Sequence, residues 1–248
     1  MDLFSVKNKS VFITGASRGI GKALALGFKD SGAQVIGTGR SPESISWMGE
    51  AGIKGEILDN RNKEQVQEVI KKSAEATGGL DCLINNAGLT AKTPMSQIKE
   101  EEVDELFSTN LKGLIHTSQA YYKLQKNRGG SIINIASICA HSVIPATGSY
   151  CASKGAVLQI TRSMAVEWAR KKIRVNVICP GFFETDMTSD IANNPAMEDR
   201  LKSLIPMGRS GNIDELTGAA LFLASSASSY VTGQSIIVDG GVLSQIRV

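Results

Sequence analysis

Seven short runs rich in β-branched residues punctuate the chain, and longer helical stretches separate them. The runs are "SVFIT" (Ser10–Thr14), "AQVIGTG" (Ala33–Gly39), "GEILD" (Gly55–Asp59), "LDCLINNAG" (Leu80–Gly88), "SIINIAS" (Ser131–Ser137), "IRVNVICPG" (Ile173–Gly181) and "SIIVDGG" (Ser235–Gly241). Between the first two, Ile20, Ala23, Leu24, Gly27 and Phe28 fall on one face at helical spacing, and Gly32 can end that helix with φ > 0. Further helices are expected over Asn62–Ala76, over Glu101–Lys126 as one long helix, and over Tyr150–Lys171, with a loop and helical region from Phe182 to Leu223. Strands that alternate with helices pair in parallel through right-handed crossovers. No linker, repeat or low-complexity break interrupts the pattern, so the expectation is α/β, a single doubly wound domain with a seven-stranded parallel sheet.

Composition serves mainly to exclude. A chain of 248 residues is long enough for a sizeable core. The net charge is +3 and the basic residues are spread along the chain, which leaves nucleic acid without a footprint. No apolar stretch reaches the ~18 residues of a membrane span, and "MDLFSVKNKS" lacks the shape of a signal peptide. Cys82, Cys139, Cys151 and Cys179 show no CxxC spacing and sit in or beside apolar runs. They read as small buried hydrophobes suited to a reducing cytoplasm. With two histidines and no cysteine cluster nearby, no metal site is expected.

The first strand–helix junction is "TGASRGIG", Thr14 to Gly21. Gly15 permits a tight turn, Gly19 lets backbone approach a ligand, and Gly21 lets the helix pack on the strand. The helix N-terminus then offers unpaired N–H groups to a pyrophosphate. At the first βα turn of such a chain this is a dinucleotide site. An NAD site wants an acid at the end of the second strand, but that strand ends in Gly39 and Arg40. Arg18 can approach the same place. Two guanidiniums without an acid suit a 2′-phosphate, so NADP(H) is the expected cofactor. Asp59, closing the third strand, is placed to accept from the adenine amino group.

"SYCASKGA" (Ser149–Ala156) sets Tyr150 and Lys154 one helical turn apart among small residues. Alone, the pair suits a solvated lysine stem lying over a ring. In a dinucleotide-binding chain it suits chemistry. Reduction of a ketone leaves negative charge on oxygen and needs a proton donor there. A tyrosine at pKa about 10 would have to fall by ~3 units, or roughly 4 kcal/mol, to exchange readily at neutral pH. One cation at ~4 Å and an effective dielectric of ~20 supplies about that much.

Taken together, "TGASRGIG", "NNAG" (Asn85–Gly88), Ser137 with "YCASK" (Tyr150–Lys154), and "PG" (Pro180–Gly181) followed by Thr185 resemble the short-chain dehydrogenase/reductase family over nearly the whole chain. The resemblance implies a Rossmann-type fold and a catalytic quartet of Asn110, Ser137, Tyr150 and Lys154. In it, Ser137 fixes the substrate oxygen, and Asn110, in "FSTNLKG", holds a water that feeds protons toward Lys154. It implies cofactor contacts from Gly15, Ser17, Arg18, Gly19, Ile20 and Gly21, from Arg40, and from Asp59 and Asn60. Asn86, Ala87 and Gly88 would pass beside the adenosine ribose, Lys154 would reach the nicotinamide ribose beside Tyr150, and Pro180, Gly181 and Thr185 would face the nicotinamide or a phosphate. A homotetramer built on the two long helices and the last strand is implied as well.

"GFFETDMT" (Gly181–Thr188) and "VTGQSIIVDGG" (Val231–Gly241) look most like 3-oxoacyl-(acyl-carrier-protein) reductases and related sugar and polyol dehydrogenases. The substrate is thus a small-molecule or carrier-bound carbonyl, with a nucleotide-sensing protein without catalysis as the non-enzyme alternative. From 182 to 207, Phe182, Phe183, Met187, Ile191, Met197, Leu201, Ile205 and Met207 could form an apolar flap or pack on the core. Ile138, Val143 and Ile144 extend that apolar wall, and His141 could meet a hydroxylated substrate. Lys123, Lys126, Arg128, Arg170, Lys171 and Lys172 could meet an acidic acyl carrier protein, although cations at helix C-termini are also expected from the macrodipole.

Overall fold

The structure is a computed structural model that describes residues 2–125, 128–184 and 195–245, with side chains of the last segment from 198 onward. Seven strands form one parallel sheet: β1 Ser10–Ile13, β2 Gln34–Gly39, β3 Lys54–Ile57, β4 Cys82–Asn85, β5 Gly130–Ile135, β6 Ile173–Pro180 and β7 Ser235–Val238. Their order is β3-β2-β1-β4-β5-β6-β7. Pairing is parallel throughout, with Ile13 beside both Gly37 of β2 and Ile84 of β4. The chain runs outward from β1 to β3 and then crosses back to β4, so the strand order reverses between β1 and β4. A crevice opens there beyond the strands' carboxyl ends.

Both faces of the sheet are covered, as the near-continuous apolar strand runs require. On one face Val11, Ile13, Val35, Ile84 and Ile178 pack with Leu24 and Phe28 of helix α1 (Gly19–Asp30) and Leu216 and Leu223 of the last helix. On the other, Phe12, Ile36, Leu83, Ile132 and Val177 meet Val66 and Ile70 of α3 (Lys63–Thr77), Tyr121 and Val157. Gly32, just past α1, adopts φ +83 and so stops the helix as expected.

Two features depart from the sequence expectations. A helix over Pro42–Glu50, α2, lies between β2 and β3, and the β-run reading passed over it. Its signal is local: Ser41 caps the Ser44 N–H, Ser44 returns the bond, and Pro42 takes the first helical position. The long helix expected over Glu101–Lys126 is interrupted. It comprises α4 (Glu100–Phe107), a widened π-type segment at Ser108–Lys112, and α5 (Gly113–Gln125). Apolar periodicity over such short flanking segments does not reveal a widening of one turn. The remaining helices are α6 (Gly148–Trp168), α7 (Pro195–Leu204) and α8 (Glu215–Ala224). Among the described residues no helix is long and apolar enough to cross a membrane.

Candidate active site

A cavity of about 800 Å³ fills the crevice at the carboxyl ends of β1 and β4. Its floor is the glycine loop, and each glycine has a different reason to be there. Gly15 stands at φ +64, where a Cβ would lie 2.7 Å from Ala87 Cα. A Cβ on Gly21 would collide with the Gly15 carbonyl and the Asn86 carboxamide. Gly19, at φ +54, has nothing within 4 Å of its missing Cβ and leaves open space where a ligand can touch backbone. Asn86 holds the loop by donating to the carbonyls of Thr14 (3.1 Å) and Gly15 (2.9 Å).

Of the residues expected to contact a cofactor, Gly15 to Gly21 other than Ala16, Arg40, Asp59, Asn60, Asn86, Ala87, Gly88, Tyr150 and Lys154 all line this cavity. Pro180 and Gly181 do not. Pro180 closes β6, and Gly181 packs against Asp239, with its N–H bonded to the Val238 carbonyl. Thr185 lies outside the described residues. The cavity also includes Thr38, Ser41, Ser44, Leu58, Arg61 and Thr109, which motif reading did not mark. Ser41 and Ser44 arrive from the start of α2 and Thr109 from the widened segment, the two elements that the sequence pattern concealed.

The residues fit a dinucleotide phosphate. Neither Arg18 nor Arg40 enters an ion pair among the described residues. The Thr109 hydroxyl is buried at the wall with no hydrogen-bond partner. Asp59 behaves differently. Its carboxylate is taken by Arg61 through contacts of 2.6 to 3.0 Å, which hold its pKa below the usual range, and Arg40 adds to that field from farther away. With Asp59 paired to Arg61, the expectation is that Arg40 is left to a ligand. An Arg61→Met variant is expected to lose more affinity for NADPH than for NADH. Fluorescence titration of both nucleotides checks this, and equal losses would refute the shielding role.

Tyr150 and Lys154 rise from the first two turns of α6 to the cavity wall. The Lys154 ammonium sits 5.7 Å from the Tyr150 ring centroid and donates to the Ile135 carbonyl at 3.0 Å. Burial opposes the expected lowering of the phenol by this cation. Burial dominates and pushes Tyr150 up to about 12, while the Ser137 hydroxyl bonded to the phenol oxygen pulls it down. Burial also brings Lys154 down to about 8. Attraction between the two groups favours their charged forms, and the cost of desolvating each opposes it. Lys154 is buried, and Tyr150 is half-buried at the cavity wall.

Asn110 is buried beside the site in the widened segment. Its carboxamide accepts from Leu89 N–H (2.7 Å) and donates to the Leu89 carbonyl (3.0 Å) and Ser153 Oγ (2.9 Å). A side chain so held acts as a brace between the loop after β4 and α6, and its Oδ1 keeps a second acceptor position. A Cβ on Gly88 would lie 3.2 Å from Asn110 Oδ1 and 3.4 Å from Lys154 Nζ, so brace, loop and lysine meet at one point.

Beyond Ser137 a second cavity of about 300 Å³ opens among Ile138, Cys139, Val143, Ile144, Phe182 and the C-terminal Leu243. Of the residues read as a flap, Phe182 lines it, Phe183, Leu201 and Ile205 are buried, and Met207 is exposed; Leu204, not among those residues, lines it too. Met187, Ile191 and the side chain of Met197 lie outside the described residues. His141 is turned away and bonds Ser235 Oγ at 3.0 Å. The four cysteines are free and buried, as expected. The basic helix ends do not approach the site within one chain. Arg128 pairs with Asp81 at the start of β4, and the Lys172 carbonyl bonds Gly130 at the start of β5. A helix C-terminus in a parallel α/β chain feeds the opposite sheet edge. Lys126 lies outside the described residues, and among those described no cluster of His, Cys, Asp or Glu could hold a metal.

A family model described as enoyl-(acyl carrier protein) reductase matches residues 15–243. Gluconate 5-dehydrogenase of Gluconobacter oxydans is 37% identical over 97% of this chain and 97% of its own length. A 3-oxoacyl-(acyl-carrier-protein) reductase of Thermotoga maritima is 40% identical over 96% of this chain and 99% of its own. Among solved structures, a gluconate 5-dehydrogenase from Burkholderia cenocepacia in complex with NADP and tartrate superimposes with a TM-score of 0.93 at 35% identity, covering 99% of both chains. Glycine-loop crevice, tyrosine–lysine turn and full-length likeness agree, and the chain belongs to the short-chain dehydrogenase/reductase family, oxidoreductases that act on CH–OH and C=O groups.

Proposed function

We propose that this chain reduces the ketone of a 3-oxoacyl thioester to a secondary alcohol with NADPH. The observation that carries the substrate class is the small cavity beside Ser137. It is walled mainly by apolar side chains such as Ile138, Val143, Ile144, Phe182 and Leu243, with Ser142 and Gln245 as its neutral polar groups and no charged side chain among its described lining. An acyl chain suits such a wall, whereas a sugar acid would leave its carboxylate without a partner there. Arg18 and Arg40 receive the 2′-phosphate, and the glycine loop with the N-terminus of α1 receives the pyrophosphate.

Bound NADPH supplies the hydride. Ser137 donates a hydrogen bond to the substrate oxygen as negative charge grows on it, and Tyr150 delivers the proton. A phenol held near 12 stays protonated at neutral pH and is ready to donate. Lys154 holds its charge beside the ring, and Asn110 fixes the loop and helix around both. The segment around 182–207 serves as the apolar cover of the acyl chain, and an acyl carrier protein is the natural bearer of such a thioester.

A second reading, reduction of a keto-sugar acid, is favoured by the relatives named gluconate 5-dehydrogenase and 5-keto-D-gluconate 5-reductase. Loss of NADPH absorbance with an acetoacetyl thioester and with 5-keto-gluconate separates the two. The thioester is expected to give the higher kcat/KM, and the reverse order would sink the acyl reading. A homotetramer is supported by apolar side chains left exposed on α5, α6 and β7, namely Leu124 (38%), Val166 (81%) and Ile237 (43%). Light scattering should return about four times the 26.4 kDa chain mass, and a monomer would refute it.

A further inference from the structure

Asn110 is not the lone brace on its helix. Glu102, eight residues earlier on α4, reaches the same two neighbours. One of its carboxylate oxygens accepts from Thr93 Oγ1 at 2.5 Å, and the other accepts from Ser149 Oγ at 2.6 Å. Asn110 holds Leu89 and Ser153. Leu89 and Thr93 are four residues apart on the loop after β4, and Ser149 and Ser153 are one turn apart on α6. Tyr150 lies between the two serines. The turn that carries the phenol is therefore tied to the loop at both ends.

The Glu102 tie has reasons to matter. Ser149 is buried, while Glu102 and Thr93 are half-buried, so the serine end of the tie is the one shielded from water. Hydroxyl-to-carboxylate bonds are charge-assisted and short. Thr147, at the N-cap of α6, makes no side-chain capping bond, so the start of this helix depends on tertiary contacts. Glu102 places negative charge beside that N-terminus, where the backbone dipoles favour it. The loop also packs here, because a Cβ on Gly148 would lie 2.9 Å from Met95 Sδ.

We propose that Glu102 is a positioning residue for Tyr150, which locks the first turn of α6 to the Leu89–Met95 loop so that phenol and cavity floor keep their relative placement during turnover. This rests on the reading of Tyr150 as proton donor. Small displacements of a reacting group cost rate rather than binding, so Glu102→Ala is expected to lower kcat by roughly 10- to 100-fold. KM and the NADPH dissociation constant should stay within about twofold. Ser149→Ala should reproduce the loss, and the double variant should be no worse than the lower single, since Ser149→Ala cuts at one end the same bridge that Glu102→Ala removes whole. Thr93→Ser, which keeps the hydroxyl, should lose much less than Thr93→Val.

A lowered melting temperature with unchanged kcat, or a double variant whose losses multiply, would overturn the proposal. Should the parent turn over no ketone, the reading of Tyr150 fails, and hydrogen exchange then decides the tie. Glu102→Ala should speed exchange in residues 89–95 and in the first turn of α6. Unchanged rates there would refute the tie itself.

Discussion

Tyr150→Phe should abolish most ketone reduction, with kcat lower by roughly 10²- to 10⁴-fold, the range supplied by a positioned proton donor. The ring stays and only the hydroxyl goes, so NADPH binding and the melting temperature should remain near those of the parent. Turnover as fast as the parent would end the account of the site. A pH series adds an independent check through Lys154. Burial brings this ammonium to about 8, so its charge is lost as pH rises through that value. NADPH binding favours the charged form, and linkage then requires affinity to be level below pH 8 and to fall above it as binding takes up a proton. The same fall is expected in Tyr150→Phe and should vanish in Lys154→Met, which has no proton to take up. A limb that persists in Lys154→Met would assign the titration elsewhere.

The second large effect is expected at Gly15. An alanine there would have to hold φ +64, a left-handed conformation that costs a side chain about 1–2 kcal/mol. Its Cβ would also stand 2.7 Å from Ala87 Cα, and overpacking against backbone adds about 1–3 kcal/mol. Both costs fall on the junction between the glycine loop and the Asn86–Gly88 turn. Gly15→Ala should therefore lower the denaturation midpoint and weaken NADPH binding together. Gly49→Ala is the control. It lies in α2 with nothing within 4 Å of its missing Cβ, and it should cost little of either. A Gly15→Ala protein with parental stability and nucleotide affinity would show that the loop relaxes freely and that the two segments are not packed as described.

Residue types and their spacing were enough to establish the alternating strands and helices, the parallel sheet, the glycine loop and the tyrosine–lysine turn. Each of these rests on short-range rules: apolar periodicity, backbone freedom at glycine, and the 3.6-residue repeat that puts Tyr150 and Lys154 on one face. The choice of Arg40 over an acid at the end of β2 was legible for the same reason, since one position carries the charge. Other features were settled only when distant segments came together. The widened segment around Asn110, the Arg61–Asp59 pair beside Arg40, the orientation of His141 toward Ser235 and the basic helix ends at the far edge of the sheet all depend on tertiary placement. So does the electrostatic balance at Tyr150. Charge attraction can be counted from sequence separation, but the desolvation that opposes it depends on how completely the fold encloses each group. Enclosure is a property of the packed chain, and here it raised the phenol and lowered the amine.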